Sequence, residues 1–402
     1  MPDFIRQQRK VCIERAKKPL QGFVVSLGVV TLLTAALSVK ELLKWYGKEV
    51  LALNKVSFDV DEGDFFVIIG PSGCGKSTLL KCVSGILDWN DGDIYIGGKS
   101  MRDVPAYKRD IALMPEAYAL FPHMRVYDNV AFGLRMHGRP ENEIGKEVEK
   151  ALKLVGLEGF GKRWPSELSG GQRQRISLAR AIVVNPKVLL LDEPLSHVDY
   201  RLQRKLMEDF KLLHEELGNT WILTTHVQEQ GLSMAEHLLV MNNGVIEQIG
   251  KPEEVYKWPR TVFAARFVGN INLLHGEVVS QEKGGCAVKT ELGELSGTFT
   301  GDSNLMGRKV AYGVRPENIE INPKATVDNK VGAKLTGLYY FGELVEYMFQ
   351  TEGGIEMKAR TSPVECKLGE KYTIGWSRRD ASILERPSMI EGLNIEDVIY
   401  GR

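Results

Sequence analysis

The stretch "FFVIIGPSGCGKSTLL", Phe65–Leu80, decides the fold of this chain. An apolar run ends at Gly70, a glycine-rich loop follows, and a helix is predicted to begin around Gly75. The loop spells G-x-x-x-x-G-K-S between a strand and a helix, the context in which this motif binds phosphate groups. Gly70, Gly73 and Gly75 let the backbone curl so that several N–H groups point at phosphate oxygens, and the helix N-terminus favours an anion. A glycine turn that spells the motif by chance is the alternative, and the flanking strand and helix weigh against it.

The predicted nucleotide-binding residues share this loop and the first turn of the helix. They are Gly70, Pro71, Ser72, Gly73, Cys74, Gly75, Lys76, Ser77 and Thr78. In this arrangement Lys76 can reach the β- and γ-phosphates, Ser77 can ligate Mg²⁺, and Thr78 can contact a phosphate oxygen. The chain is therefore predicted to bind ATP together with Mg²⁺.

A second motif, "VLLLDEP" at Val188–Pro194, places two carboxylates at the exit of a buried strand. Such carboxylates are costly unless they serve a charge. Asp192 is predicted to hold Mg²⁺ through water, and Glu193 is predicted to polarise the attacking water as general base. Taken alone the pair could be an ordinary turn, but a phosphate-binding loop upstream favours the functional interpretation.

The order of apolar runs predicts the architecture. "KVLLLDEP" and "TWILTTH" are continuous apolar runs typical of parallel strands buried on both faces, and amphipathic stretches at 143–155, 172–184 and 200–217 predict helices between them. This alternation predicts an α/β P-loop NTPase core with a largely parallel sheet. From Ile271 onward, short runs of period-two character between glycine turns predict a small all-β barrel or sandwich. The predicted domains are residues 37–270 and 271–402, after an N-terminal extension at 1–36.

The composition excludes several classes of protein. The 402 residues contain 52 Lys and Arg against 52 Asp and Glu, so the net charge is zero and no nucleic-acid partner is expected. The cysteines are scattered without metal-ligand spacing, which predicts reduced thiols in a cytoplasmic protein.

The N-terminal extension allows two interpretations. Six basic residues between Arg6 and Lys18 precede an apolar run from Phe23 to Val39, an order typical of a signal peptide or a short anchor. The run is marginal as a membrane span, and export would separate the chain from ATP. An extension that merges into the first strand is favoured over an anchor.

The stretch "LSGGQRQRISLARAI", Leu168–Ile182, distinguishes between kinds of NTPase. Ser169 and a glycine pair open a predicted helix, whose start is another natural anion site. A well-capped amphipathic helix would not by itself explain the two adjacent glycines and Gln172. Here the chain resembles the ABC transporter ATPases, whose signature sequence this is, and the resemblance runs from Val39 to about Gly269.

The resemblance implies a homodimer with shared sites. In this family the signature loop of one subunit closes over the γ-phosphate bound by its partner, which assigns that role to Ser169, Gly170, Gly171 and Gln172. The resemblance also implies that Asp199 belongs to the loop that joins the two sites, and that the switch histidine His226 contacts the γ-phosphate. It implies that Tyr46 stacks on the adenine, with Trp45 as the alternative.

Two positions depart from the family pattern. Glu116 stands where the family usually has the glutamine that senses Mg²⁺ and the attacking water. Its carboxylate can still ligate Mg²⁺, but it adds negative charge beside Asp192 and Glu193, so repulsion is expected there. Val227 follows the switch histidine, where aspartate is common.

Partners and solute are also implied by the resemblance. Tyr118, Leu120, Phe121 and Met124 are either ordinary core or, as we favour, a groove that receives a coupling helix from each of two membrane-spanning permease subunits. A dimer at the cytoplasmic face of the membrane is then expected, with an extracytoplasmic solute-binding protein as an indirect partner.

The segment "YGVRPENIEI", Tyr312–Ile321, is similar to the R-P-E segment of the TOBE/OB-like barrel domains appended to importer ATPases. Those importers carry polyamines, iron, sugars or oxyanions, and "RFVGNINLLHGEVV" favours the polyamine and iron branch. A non-transport ABC ATPase would show a coiled-coil insertion or a second ATPase half. A non-enzymatic regulator would be expected to lack Lys76 or Glu193.

Overall fold

The computed structural model describes residues 35–196, 198–324, 326–390 and 392–400. The N-terminal extension predicted at 1–36 therefore lies outside the described residues, except for Ala35 and Ala36. Within the described part, no helix is both long and apolar enough to cross a membrane.

Up to residue 250, the described strands form two sheets. The strands are β1 (Leu37–Tyr46), β2 (Val50–Val60), β3 (Phe65–Ile69), β4 (Asp91–Ile96), β5 (Lys99–Ser100), β6 (Ile111–Met114), β7 (Val188–Asp192), β8 (Thr220–Thr225), β9 (His237–Asn242) and β10 (Val245–Gly250). The central sheet has the order β10-β9-β3-β8-β7-β6 and is parallel except for β10. The predicted α/β core with a largely parallel sheet is confirmed.

A second, four-stranded antiparallel sheet of order β2-β1-β4-β5 was not predicted. The pairing of β1 with β2 shifts register between Val39 and Leu42 and again beyond Leu42. Because such irregularities interrupt the period-two alternation of a strand, the sequence pattern there is weak.

The helices of the described residues are α1 (Lys76–Ser84), α2 (Val126–Met136), α3 (Glu141–Leu154), α4 (Gly170–Ile182), α5 (Tyr200–Leu217), α6 (Gln228–Met234), α7 (Pro252–Lys257), α8 (Val262–Phe267) and α9 (Ile395–Tyr400). The prediction for 200–217 matches α5. The helices predicted at 143–155 and 172–184 each begin two residues earlier than expected. At the start of α4, the two additional residues are the signature glycines.

Strand β3 lies between two apolar cores. Phe65, Val67 and Ile69 belong to the core beneath the helical subdomain of α2 and α3, and Phe66 and Ile68 to the core shared with α1 and the antiparallel sheet. All five residues of β3 are buried, as a central parallel strand requires. The strand that leads into the glycine-rich loop is therefore held rigidly from both faces.

From residue 272 onward, the described strands form two five-stranded antiparallel sheets. They are β11 (Asn272–Glu282), β12 (Gly285–Thr290), β13 (Gly293–Gly297), β14 (Lys309–Val314), β15 (Glu320–Ile321), β16 (Asn329–Tyr340), β17 (Val345–Thr351), β18 (Glu356–Thr361), β19 (Lys371–Trp376) and β20 (Ala381–Leu384). The sheet orders are β13-β12-β11-β14-β20 and β15-β19-β16-β17-β18. One core joins both sheets, and in it the Trp376 indole donates to the Tyr312 hydroxyl at 2.7 Å. The predicted all-β domain is confirmed.

The connection between the α/β and β domains is held by the buried Arg315 side chain. The Arg315 guanidinium of the R-P-E segment donates to the carbonyl oxygens of Tyr256, Ala265 and Asn270 and lies 3.8 Å from the centre of the Tyr256 ring. The Tyr256 hydroxyl in turn donates to Glu317. The predicted boundary at 270 falls in the connection between α8 and β11, and its exact place stays a prediction.

A buried carboxyl lies at the start of β3, at the far end of the strand from the glycine-rich loop. Asp64 is buried, and its Oδ2 is 2.8 Å from Nδ1 of His237. Burial raises the pKa of Asp64 to about 6; the His237 hydrogen bond opposes that effect and the neighbouring Glu236 carboxylate adds to it. Ionised Asp64 therefore opposes folding, a penalty absent below about pH 4 and complete above about pH 6.

We expect Asp64→Asn to remove this penalty. Relative to its value at pH 4, the stability gained by the variant should increase as the pH rises to 6.5 and then level off at about 1–3 kcal/mol. Urea unfolding followed by tryptophan fluorescence at several pH values measures the difference. Asp61→Asn, at an exposed position of the preceding turn, serves as the control. A stability difference that does not change with pH would contradict the prediction.

Candidate functional site

The glycine-rich loop after β3 has a shape that only glycine permits at two positions. A Cβ atom at Gly70 would lie 2.3 Å from the Met241 carbonyl oxygen and 2.6 Å from Sγ of Cys74. Gly75 caps α1 with φ of 109°, and a Cβ there would lie 2.6 Å from the Ala52 carbonyl oxygen. The loop is thus packed against the backbone of two neighbouring segments before any ligand contact is considered.

Lys76, the first residue of α1, points back into the loop. Its side chain is 3% exposed, and Nζ donates to the carbonyl oxygens of Gly70 at 2.9 Å and Pro71 at 3.0 Å. The same ammonium lies 3.6 Å from Oε1 of Glu193. The ammonium charge can be buried this completely because carbonyl oxygens and a carboxylate surround it.

Asp192 is the last residue of β7, and it joins three segments of the chain. Its Oδ1 accepts hydrogen bonds from the Ser77 hydroxyl at 2.9 Å and from the Thr224 hydroxyl at 2.8 Å. Ser77 belongs to α1 and Thr224 to β8, so the Asp192 carboxylate at the end of β7 links α1 to strands β7 and β8. A hydroxyl beside a carboxylate is a donor set suited to Mg²⁺, which prefers oxygen ligands.

Glu193 lies between Lys76 and His226. Its backbone has φ of 45°, in the left-handed region that is uncommon for residues other than glycine. On the far side from Lys76, its Oε2 is 2.8 Å from Nδ1 of His226. His226 follows β8 directly and is 45% exposed, so its ring faces solvent while contacting the carboxylate. The structure therefore brings Lys76, Ser77, Asp192, Glu193 and His226 into one connected network.

The signature residues lie at the start of α4. Ser169 caps the helix: its hydroxyl accepts from the amide of Gln172 at 3.3 Å, and the Gln172 side chain accepts from the amide of Ser169 at 3.0 Å. Gly171 packs against Leu202 so closely that a Cβ would lie 2.7 Å from it, whereas Gly170 faces open space. Within the described residues, no hydrogen bond joins these four residues to the loop at 70–78.

Asp199 has a similar capping role one helix further on. It is exposed, and its Oδ1 accepts from the amide of Leu202 at 3.1 Å at the start of α5. Because Leu202 also covers Gly171, the predicted dimer loop and the signature helix are in contact within one chain.

Tyr46 ends β1 beside the phosphate-loop helix. Its hydroxyl is 3.3 Å from Oγ1 of Thr78, its side chain is 44% exposed, and the Lys44 ammonium lies 5.5 Å from its ring centre. Trp45 is only half-buried, and its amide donates to the Asn90 side chain at 2.7 Å. Of the two aromatic residues, Tyr46 contacts the nucleotide loop.

Glu116 lies two residues beyond β6, at the edge of the sheet where Asp192 and Glu193 also lie, since Met114 of β6 pairs with Leu191 of β7. The Glu116 side chain is exposed. Arg109, which precedes β6, donates to the carbonyl oxygens of Cys82, Val83, Met101 and Val104.

The loop that follows Glu116 is anchored to the signature helix. Tyr118 and Ala119 both have positive φ, of 59° and 45°. The Ser177 hydroxyl donates to the Tyr118 carbonyl at 2.8 Å, and Arg180 donates to the carbonyl oxygens of Tyr118 and Ala119. These bonds satisfy carbonyl groups that the turn would otherwise leave unpaired.

The predicted apolar patch is partly covered. Tyr118, Leu120, Phe121 and Met124 are all half-buried, and Tyr118 and Leu120 pack against the core beneath the helical subdomain. Phe121 contacts the Phe132 ring, with 4.8 Å between ring centres.

Sequence reasoning missed two buried polar residues of this site. Thr224 donates to Asp192, and Gln174 of α4 donates to the Pro194 carbonyl next to Glu193. The available signals were two consecutive threonines that end strand β8 and a glutamine on the buried side of the signature helix.

Burial also raises the pKa of the Cys74 thiol, so the loop carries no thiolate beside the phosphate position at neutral pH.

Comparison with known proteins gives two family matches. A model of the family "ABC transporter" matches residues 53–196, and a model of the "TOBE domain" matches residues 312–384.

Curated relatives cover most of the chain. The spermidine/putrescine import ATP-binding protein PotA of Rubrobacter xylanophilus is 39% identical over 355 residues, 87% of this chain and 93% of that protein. The protein of the same name from Oleidesulfovibrio alaskensis is 41% identical over 329 residues, 82% of this chain and 86% of that protein. A dimeric structure of MJ0796, a bacterial ABC transporter cassette, is similar with a TM-score of 0.50 and 30% identity, covering 54% of this chain and 98% of that chain.

Proposed function

This chain belongs to the ABC transporter ATP-binding proteins of importer type with a C-terminal TOBE domain, and on that premise we propose that it powers the uptake of a polyamine such as spermidine or putrescine. The importer-type ABC ATPase and TOBE domain predicted from sequence are confirmed. The polyamine assignment rests on the similarity to import proteins of that name over about nine-tenths of their length. The sequence also offered iron beside polyamines, with sugars and oxyanions as alternatives, and the uptake test below distinguishes among these solutes.

We propose that the phosphate chain of ATP lies in the loop at 70–78. Lys76 already points inward with its ammonium at the loop carbonyls, so a small movement brings it to the β- and γ-phosphates. Tyr46 contacts Thr78 at the loop, which suits an aromatic ring stacked on the adenine.

Glu193 is the proposed general base for the attacking water. Its carboxylate is fixed on one side by the Lys76 ammonium and on the other by His226, so it can accept a proton from a water in a defined place. His226 then orients Glu193 and, through its exposed face, contacts the γ-phosphate.

The Ser77 hydroxyl and the Asp192 carboxylate are the residues that would hold Mg²⁺, with Glu116 at the same sheet edge. When bound, the metal would neutralise charge that develops on the phosphate oxygens. The chain's own contribution is to keep both oxygen ligands in place.

The exposed N-terminus of α4 is proposed to complete the site of a partner copy. Ser169 and Gly170 face outward with the helix N-terminus behind them, an arrangement that favours an anion. The dimeric state of the similar cassette MJ0796 supports a homodimer. Two permease subunits at the cytoplasmic face of the membrane are the proposed partners of the patch at Tyr118–Met124, and a solute-binding protein acts on them from outside.

Lys76 and Glu193 should fail in different ways when changed. Lys76→Ala removes a phosphate contact and should weaken ATP binding together with turnover. Glu193→Gln keeps the shape but loses the base, so ATP should bind and trap a dimer while hydrolysis falls by about a hundredfold or more. Nucleotide binding, phosphate release and size-exclusion chromatography with ATP separate the two. Hydrolysis by Glu193→Gln at the parental rate would show that Glu193 is not the base.

The solute is tested by uptake. Cells that carry the parental gene with its permease and solute-binding partners should accumulate radiolabelled spermidine or putrescine, and cells with Glu193→Gln should lose at least about nine-tenths of that uptake. Labelled maltose, ferric iron and sulfate serve as competing solutes. Transport of one of these, with no polyamine uptake, would overturn the assignment while leaving the ATPase role intact.

Replacing Glu116 by glutamine restores the usual family residue and removes one of three negative charges at this edge of the sheet. We expect Glu116→Gln to raise kcat or to lower the Mg²⁺ requirement about tenfold, if one pKa unit of repulsion, about 1.4 kcal/mol, is released. A Mg²⁺ titration at several pH values measures both. Glu149→Gln, on the exposed face of α3, is the matched control. Identical profiles for Glu116→Gln and the parent would mean that Glu116 does not sense the site.

A further inference from the structure

Thr224 is the most deeply buried polar residue that contacts the acidic pair. It is the fifth residue of β8, its exposed fraction is 0%, and it stands directly opposite Asp192 in the parallel pairing of β8 with β7. Its neighbours Ile222 and Leu223 are apolar, and valine has the same β-branched shape without the hydroxyl, so the shape of the side chain alone does not explain a threonine here.

The single hydroxyl of Thr224 contacts both acidic residues. It donates to Oδ1 of Asp192 at 2.8 Å and accepts from the backbone amide of Glu193 at 3.2 Å. A hydroxyl has one proton to donate, and here it donates that proton to the Asp192 carboxylate. Its oxygen lone pairs are then available to accept from the Glu193 amide. One atom therefore contacts the side chain of Asp192 and the backbone of Glu193.

The second contact matters because the Glu193 backbone is in the left-handed region. Its amide is held both by the Thr224 carbonyl at 3.1 Å and by the Thr224 hydroxyl. Backbone conformations of this kind persist only where surrounding contacts hold them. Here both contacts to the amide come from one residue of the adjacent strand, while Ser196 donates to the Glu193 carbonyl.

The first contact determines which oxygen of Asp192 is used. Ser77 and Thr224 both donate to Oδ1, and in the described residues no hydrogen bond is found to Oδ2. Loss of the Thr224 bond would free the carboxylate to rotate about its last torsion, which is broad for aspartate.

We propose that Thr224 is a positioning residue for ATP hydrolysis, which orients the Asp192 carboxylate and holds the Glu193 backbone through one hydroxyl group. The inference rests on the roles proposed above for Asp192 and Glu193. Thr224 does not touch the reacting atoms; it acts through the two residues that do.

The test compares Thr224→Val, which keeps the shape, with Thr224→Ser, which keeps the hydroxyl. Thr224→Val should lose about ten- to a hundredfold in kcat, as expected for removal of a hydrogen bond to a charged group, with KM for ATP within about twofold of the parent. Thr224→Ser should keep kcat within about threefold. Thr220→Val is the matched control, since Thr220 lies in the same strand and is also buried. Among the described residues, its hydroxyl hydrogen-bonds only with the Gly63 amide, from which it accepts at 3.0 Å.

A binding measurement gives a readout independent of turnover. With a fluorescent ATP analogue, the Mg²⁺ concentration at half-maximal binding should rise about tenfold for Thr224→Val, while affinity in EDTA stays at the parental value. Thermal unfolding should place Thr224→Val and Thr220→Val close together, which shows that both are folded.

Three results would overturn the inference: parental kcat and Mg²⁺ midpoint in Thr224→Val, equal losses in Thr224→Ser and Thr224→Val, or equal losses in Thr220→Val. Glu193→Gln measured in parallel separates this failure from that of the proposed function. A fully active Thr224→Val beside an inactive Glu193→Gln overturns only the role of Thr224, whereas an active Glu193→Gln removes the proposed base and overturns both.

Discussion

The buried Asp192 carboxylate is the constraint on which the geometry of the site depends. A carboxylate at the end of a central strand is costly to bury unless it is hydrogen-bonded. Hydroxyl groups from α1 and from β8 meet this requirement at a single oxygen atom. Because the two donors and the carboxylate come from three different segments, α1, β8 and β7 can satisfy the charge only in one mutual arrangement. Correct pairing of the central sheet and correct placement of the site are thus the same condition.

The signature helix extends this constraint across the α/β domain. Gln174 of α4 bonds to Pro194 just beyond Glu193, and three residues further on Ser177 bonds to the Tyr118 carbonyl in the loop after Glu116. One helix therefore contacts both the loop that carries the proposed base and the loop next to the proposed permease groove. The signature helix therefore connects the phosphate position to the proposed permease groove. Arg180 of the same helix strengthens this connection with hydrogen bonds to the carbonyl oxygens of Tyr118 and Ala119.

Much of this arrangement could be predicted from sequence because the motifs lie at strand ends. Parallel strands deliver their carboxyl ends to one edge, so Lys76, Asp192 and His226 had to meet once the strands were recognised. Thr224 could not be found in this way, since threonine is common in strands and its hydroxyl partner is 32 residues away in the chain. Register shifts in β1 hid the antiparallel sheet, and contacts over long sequence separations, such as Glu247 with Ser388, leave no local pattern.

The contact between Glu247 and Ser388 explains why the segment that follows β20 returns to the α/β domain. Glu247 of β10 is buried, and it accepts hydrogen bonds from Asn242, Thr261, Ser388 and the Met389 amide, with neutral donors on every side. Arg315 is the opposite case, a buried cation whose guanidinium meets backbone carbonyls. Glu247 and Arg315 hold the β domain to the α/β domain. Burying either side chain is unfavourable unless groups on the other side of the connection form hydrogen bonds with it. The R-P-E segment is then explained by packing chemistry: Arg315 fixes the backbone around Tyr256, and Glu317 fixes the Tyr256 ring. A change in the β domain that displaced Arg315 would leave the carbonyl oxygens of Tyr256, Ala265 and Asn270 without their donor, so the backbone at the end of the α/β domain depends on a residue of the β domain.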